Sequence, residues 1–217
     1  MREASAVNIA VLGTGRVGAT LGRRWAAAGH QVAFGSRDPQ GAKATQAVQQ
    51  AGPNARSVSQ AGAVANADVV LLAVPYSAAQ SVLSSLGESL TGKTLIDCLN
   101  PLKPDLSGLL VGGDTSAGEQ VAAWAPTARV VKAFNTASTA TMANPVYDGR
   151  KAAMFFCGDS AEAKADVRSL IADLEFEPVD SGPLAHSRYL EPLAMLYIHL
   201  AVRGGWGSQC AIQIAKR

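Results

Sequence analysis

Three glycines supply the first chemistry in this sequence. Residues 8–39 read NIAVLGTGRVGATLGRRWAAAGHQVAFGSRDP, and Gly13, Gly15 and Gly18 fall in G-x-G-x-x-G spacing between an apolar run and a helical pattern. In that setting each glycine does something different. Gly13 permits a tight turn, Gly15 the close approach of a pyrophosphate, and Gly18 helix-on-strand contact. Free amides at the helix start then hold phosphate with help from the helix dipole. Gly22, one turn beyond Gly18, extends the close packing.

The second apolar run ends on Gly35-Ser36-Arg37. A site for an unphosphorylated ribose usually carries Asp or Glu there. An acid would repel a 2′-phosphate. Ser36 can instead offer a hydroxyl, and Arg37 a charged and potentially bidentate guanidinium that also stacks on adenine. The expected ligand is therefore NADP, with Lys43 reinforcing from the next helix. The alternative is that Arg37 pairs with Asp38 in solvent. Asp38, before Pro39, reads as a helix cap.

Ligands of an open α/β sheet bind beyond the carboxyl ends of its strands, which here are Val74-Pro75-Tyr76, Leu99-Asn100-Pro101 and Ala133-Phe134-Asn135-Thr136. Pro75, without an N–H, can present an apolar wall to a nicotinamide, and Tyr76 can line or stack on it. Tyr76 and Phe134 can equally be ordinary loop packing. Among the histidines, His30 is expected to face solvent, His199 to be a satisfied core residue, and His186 to lie in the first turn of the last helix, within reach of a ligand. Lys132, ending a strand, is a candidate for electrostatic support. No hydrolytic dyad and no metal-binding spacing is present, so the cofactor must carry the reaction.

Apolar runs alternating with helical patterns position these groups. Strands are expected at Val7–Leu12, Gln31–Gly35, Asp68–Val74, Thr94–Asp97, Arg129–Lys132, Ala152–Cys157 and Glu175–Pro178, as in an α/β, Rossmann-type doubly wound and mostly parallel sheet. The second helix is expected to start after Asp38-Pro39 and run to Gly52-Pro53. Leu106–Gly118 reads as a surface loop. Ser181-Gly182-Pro183 opens a C-terminal helix over Leu184–Val202, apolar around much of its circumference, which must be buried in its own domain or against a second copy.

Composition narrows the class. A chain of 217 residues with 48% hydrophobic and 17% charged residues and a mean hydropathy of +0.11 suits one globular unit. The expected organisation is a single domain over 1–217, with 182–217 a helix and tail completing an acceptor cleft. A net charge of +2 with scattered Lys and Arg gives no stripe for nucleic acid. The N-terminal run leads into a glycine turn rather than a cleavage site, so it reads as a first strand and not a signal peptide. The apolar stretch near Pro192–Val202 falls short of a membrane span. Cys98, Cys157 and Cys210 form no close pair, which suits a reducing cytoplasm.

Four segments together resemble one family: GTGRVG, the GSR after it, VVKAFNT at Val130–Thr136, and CGDSAEAKADVRSLIADLEFEPVDSGPLAHSRYLEPLAMLYIHLA at Cys157–Ala201. They are similar to the NADPH-dependent deazaflavin reductases, the F420H2:NADP oxidoreductase-like proteins, and to the NADPH-oxidising part of the STEAP metalloreductases. The resemblance implies that Thr14, Arg16 and Val17 join the glycines at the pyrophosphate. It implies Ser36 and Arg37 at the 2′-phosphate, and Val74 and Pro75 near nicotinamide. Ala133, Asn135 and Gly205-Trp206-Gly207 would line a cleft for direct hydride transfer, with F420, FMN or FAD as acceptor and no catalytic base. An imine or ketone reductase completed by dimerisation, and a non-catalytic NADP-binding redox sensor, are the other readings. A homodimer sharing the last helix is expected.

Overall fold

The computed structural model describes residues 6–215; residues 1–5 and 216–217, at the two ends of the expected domain and including the first part of the N-terminal segment, lie outside the described residues. The chain runs β1 (Asn8–Leu12), α1 (Arg16–Ala27), β2 (Gln31–Ser36), α2 (Ala42–Ala51), β3 (Ala55–Ser59), α3 (Gln60–Ala65), β4 (Val69–Leu72), α4 (Tyr76–Leu86), β5 (Thr94–Asp97), α5 (Ala117–Trp124) and β6 (Arg129–Ala133). These six strands pair in parallel in the order β3-β2-β1-β4-β5-β6. The order reverses between β1 and β4, which opens a crevice at their carboxyl ends.

The remainder adds α6 (Thr139–Ala143), a hairpin of β7 (Val146–Tyr147) and β8 (Arg150–Lys151), then β9 (Ala153–Gly158), α7 (Ala161–Asp173), β10 (Glu177–Asp180) and α8 (Ser187–Val202). Strand β9 lies antiparallel to β6 and β10 parallel to β9, giving a mostly parallel sheet of eight strands. The expected fold class is therefore found. Strand β3 and helix α3 were not anticipated. ARSVS has one large apolar residue, Val58, because β3 is the sheet edge and is only partly buried.

Central strands are buried on both faces, as alternating side chains require when helices cover each side. Ile9, Val11, Val69 and Leu71 join Leu21 and Trp25 of α1 in one core, while Ala10, Leu12, Val70 and Leu72 join Leu83 of α4 in the other. Trp25 stacks edge-on against Phe134, which does the same to Phe176, and its indole Nε1 donates to the Leu170 carbonyl at 3.1 Å. Arg24 donates to the carbonyls of Met142 and Leu174.

Three expectations are corrected. His30 is buried rather than solvent-facing: its Nδ1 accepts from the Val7 amide at 3.2 Å and its Nε2 meets Asp173 at 3.1 Å, which fixes the proton on Nε2. His199 is exposed rather than in the core. Helix α8 buries one stripe, Ser187, Leu190, Glu191, Ala194 and Tyr197, and leaves Tyr189, Leu196 and Val202 exposed. Among the described residues no helix is long and apolar enough to cross a membrane, and no metal-holding cluster of His, Cys, Asp or Glu forms.

Candidate functional site

A cleft of about 710 Å³ opens over the carboxyl ends of β1, β2 and β4. Gly13, Thr14, Gly15, Ser36, Arg37, Lys43, Val74 and Pro75 all line it, so the structure gathers in one place residues that are some 60 positions apart at the extremes. Its far wall is Ala78, Ser81, Val82 and Ser85 of α4. These were missed in sequence, although positions i, i+3, i+4 and i+7 share one helix face and three of the four here are Ala or Ser.

What an added Cβ would meet separates the glycines. At Gly13, whose φ is +113°, it would lie 2.3 Å from the Ala73 carbonyl oxygen; at Gly18 it would lie 2.0 Å from the Gly13 oxygen. At Gly22 it would strike the Phe34 ring at 2.6 Å, and at Gly35 the Leu12 side chain at 2.9 Å. Those four are bare because the protein itself comes close. Gly15 differs, since a Cβ there would meet no heavy atom within 4 Å. It caps α1 with no side-chain hydrogen bond, so the first amides of α1 have no acceptor from a capping side chain. Bare main chain facing open space at a helix N-terminus is the arrangement that receives a pyrophosphate. Val17 is half-buried against the core, and what it can offer an anion is its amide.

At the other end of the cleft, Ser36 Oγ donates to the Asp38 carbonyl at 2.9 Å and accepts from the Asp38 amide at 3.1 Å. This closes a small turn that aims the next side chain outward. Asp38 is not the helix cap: α2 starts at Ala42 with Gly41 at the cap. Nor does Arg37 pair with Asp38; among the described residues Arg37 forms no ion pair, and it is exposed in the cleft wall beside Lys43. Two cations and a run of amides fit a ribose that carries a phosphate.

The carboxyl ends of β5 and β6 are built differently. Lys132 Nζ lies 2.9 Å from Asp97 Oδ2, 2.8 Å from Glu191 Oε1 and 2.7 Å from the Leu99 carbonyl, all buried. Glu191 also accepts from the amides of Ala117 and Gly118 at 3.0 Å, at the start of α5. Burial pulls the Lys132 ammonium down, but the two carboxylates outweigh it and leave it above the ordinary lysine value. Cys98 beside them is pushed up to about 12 by burial and then by Asp97. Lys132 is thus a structural cation. Sequence reasoning missed its partners, though an acid inside an apolar helix, as in YLEPLAMLY, is the signal.

The remaining candidates do not line the cleft. Ala133 and Phe134 are buried, and the Phe134 ring belongs to the core rather than to an acceptor wall. Tyr76 donates its hydroxyl to Gln120 and packs on Trp124. Asn135 donates to Asn100 at 3.2 Å and to the Leu190 carbonyl at 3.1 Å, while its own Oδ1 is buried without a partner. Gly205-Trp206-Gly207 is exposed, and the amides of Trp206 and Gly207 cap the last carbonyls of α8. His186 bonds the Ser181 carbonyl and packs on Tyr189.

A doubly wound sheet with an amide-lined cleft and a cation where the ribose acid would stand defines a dinucleotide-binding protein of the NADP-dependent class. Residues 8–101 match the family model described as NADP oxidoreductase, coenzyme F420-dependent. The chain is 31% identical over 216 residues to an F420-dependent NADP reductase of Methanothermobacter thermautotrophicus, covering 94% of this chain and 93% of that one. It is 33% identical over 194 residues to rat metalloreductase STEAP3, covering 88% of this chain but only 37% of that relative's length. The structure of an Arthrobacter sp. FB24 protein assigned as an F420-dependent NADP reductase superposes with a TM-score of 0.87 at 32% identity, covering 97% of this chain and all of the other. The chain belongs to the F420-dependent NADP reductase family.

Proposed function

We propose that this protein is an NADP(H)-dependent oxidoreductase that moves a hydride between nicotinamide and a deazaflavin or flavin-type acceptor. The observation that carries the reading is the pairing, in one cleft, of Gly15 facing open space with Arg37, which forms no ion pair among the described residues. The amides of Gly13–Gly18, with Thr14 and Arg16, would hold the pyrophosphate. Arg37, Lys43 and Ser36 would hold the 2′-phosphate, with Arg37 dominant because the single Ser36 proton is already given to Asp38. Val74 and Pro75 would wall the nicotinamide end, with Asn135 and Gly205–Gly207 on the acceptor side; Ala133, fully buried in the core, is left out.

When bound, NADPH supplies the hydride and needs orientation more than acid–base help. The side chains fit that division of labour. Tyr76 is raised by burial and by Glu191 and is hydrogen-bonded to Gln120, and Lys132 is fully paired, so neither is offered to the cleft.

We also assign residues 182–217 to the same single domain, and the exposed Tyr189, Leu196 and Val202 of α8 to a two-fold contact with a second copy, tested by light scattering at micromolar concentration. The free thiols Cys98 and Cys157 suit a cytoplasmic location. The deciding experiment follows NADPH oxidation spectroscopically against the deazaflavin, FMN, FAD and ferric chelates. Reduction of a deazaflavin or flavin is expected. Tight NADPH binding with no acceptor reduced would replace the enzyme by a redox sensor, and no NADPH binding would remove the cofactor assignment.

A further inference from the structure

The cluster at the carboxyl ends of β5 and β6 is not neutral. Asp97 and Glu191 bring two negative charges and Lys132 one positive, all at most 1% exposed. Cys98 beside them stays an uncharged thiol, since burial and then Asp97 push it up to about 12. Among the described residues neither carboxylate has a cation other than Lys132. The amides of Ala117 and Gly118 offset part of the excess, because the first turn of a helix carries about half a positive charge. The remainder is negative, and it is buried.

That charge stands beside one end of the cleft. Asp97 is in register with Leu72 of β4, and Cys98 Sγ donates to the Leu72 carbonyl at 3.1 Å. Val74 and Pro75, two and three residues past Leu72, line the cleft. A strand spacing of about 4.8 Å and a rise of about 3.3 Å per residue set the Val74 main chain roughly 8 Å from that of Asp97. The same wall registers the sign of the charge. The Tyr76 hydroxyl, which follows Pro75, is held protonated first by burial and then by Glu191, whose effect exceeds the opposing one of Lys132, and Asp97 adds to it. Charges in a low-dielectric interior act over such distances, and salt screens them little.

We infer that Asp97, Lys132 and Glu191 together set the redox preference of the nicotinamide without touching it: their residual negative charge favours the oxidised, cationic ring over the neutral reduced one, and so inclines the protein toward NADPH oxidation. This rests on the cofactor placement proposed above. When a hydride, a proton with two electrons, leaves the dihydronicotinamide for the acceptor ring, the nicotinamide gains one positive charge. The phosphates assigned to Arg37, Lys43 and the glycine-turn amides are the same before and after. Charge can therefore tell the two forms apart only at the nicotinamide end, and that is the end the cluster adjoins.

Calorimetric titration with NADP+ and with NADPH tests this through the ratio of the two dissociation constants. Glu191→Gln and Asp97→Asn each remove one negative charge and should move that ratio by roughly fivefold or more against NADP+, almost independently of salt. Glu119→Gln makes the same change of charge elsewhere on α5, where Glu119 pairs with Arg188 in partial contact with solvent, and should leave the ratio unchanged. A ratio unmoved by both cluster variants, a shift toward NADP+, or an equal shift in Glu119→Gln overturns the inference while leaving NADP binding intact. If the unaltered protein binds neither nucleotide, the cofactor placement fails and the inference falls with it. Circular dichroism reports whether the variants fold. Should neither cluster variant do so, the unaltered protein decides: tighter NADP+ than NADPH sustains the inference, and the reverse order ends it.

Discussion

The cleft over β1, β2 and β4 and the ends of β5 and β6 lie along the same edge of one sheet, yet they handle charge in opposite ways. Over β1 and β2 the amides face open space and Arg37 and Lys43 have no carboxylate partner among the described residues. Over β5 and β6 the ammonium of Lys132 has two carboxylates and a carbonyl within 2.9 Å. A charged residue at the carboxyl end of a strand is thus not by itself a sign of chemistry. What distinguishes the open cleft, proposed above as the cofactor site, is donors that the protein does not answer.

The largest expected effect falls on the closed region. Lys132→Met should lower stability by about 3–5 kcal/mol in urea unfolding, because it strands two buried carboxylates. A loss no larger than that of an ordinary surface substitution would show that the cluster is solvated. The pH dependence has a definite sign. Lys132, Cys98 and Cys157 all sit above their ordinary values when folded, so each contributes fully below its unfolded value and loses that contribution as pH rises. The urea midpoint should fall on the alkaline side, beginning near the ordinary thiol value of 9.0.

The glycines sharpen the comparison inside the open region. Gly18→Ala should destabilise the fold, since its Cβ would lie 2.0 Å from a carbonyl oxygen. Gly15→Ala should leave the melting temperature almost unchanged while weakening NADPH binding, by roughly tenfold or more in fluorescence titration, as loss of close approach to a charged group allows. If both variants behaved alike, the division into packing and ligand glycines would be lost. Arg37→Ala should weaken NADPH by roughly tenfold to a hundredfold, as loss of a charged hydrogen bond allows, with NADH nearly unaffected. Equal losses for both nucleotides would remove the 2′-phosphate assignment. The smallest effect is chemical: in mildly alkaline buffer a disulfide reagent should label Cys210 readily, and Cys98 and Cys157 only on unfolding, because both buried thiols are pushed up, to about 12 and about 11.

Much of the open region was legible in the sequence because its signals are local. A glycine turn, a strand and a Ser-Arg lie within about 30 residues, the span of a βαβ unit, and the fold brings them together as their spacing implies. The apolar strands β1, β2, β4, β5, β6 and β9 were readable for the same reason; β10, at Glu177–Asp180, lies two residues beyond the expected Glu175–Pro178, β3 has one large apolar residue, and the β7–β8 hairpin is two residues a side. The closed region was not legible, because Asp97, Lys132 and Glu191 come from three elements up to 94 positions apart. His30 misled for a similar reason: it follows a helix-ending glycine, and its partner Asp173 is 143 residues away. Phe134 follows its strand with a φ of +63°, a backbone turn that delivers the ring to the core and that no side-chain pattern announces.

The long reach of α1 has a further consequence for how the chain is made. Trp25, Arg24 and His30 are fastened to Leu170, Leu174 and Asp173, so the glycine-turn end of the molecule cannot be secured while those residues are still inside a ribosome. A nascent chain stalled before α7 emerges should carry the glycine motif yet remain open to protease.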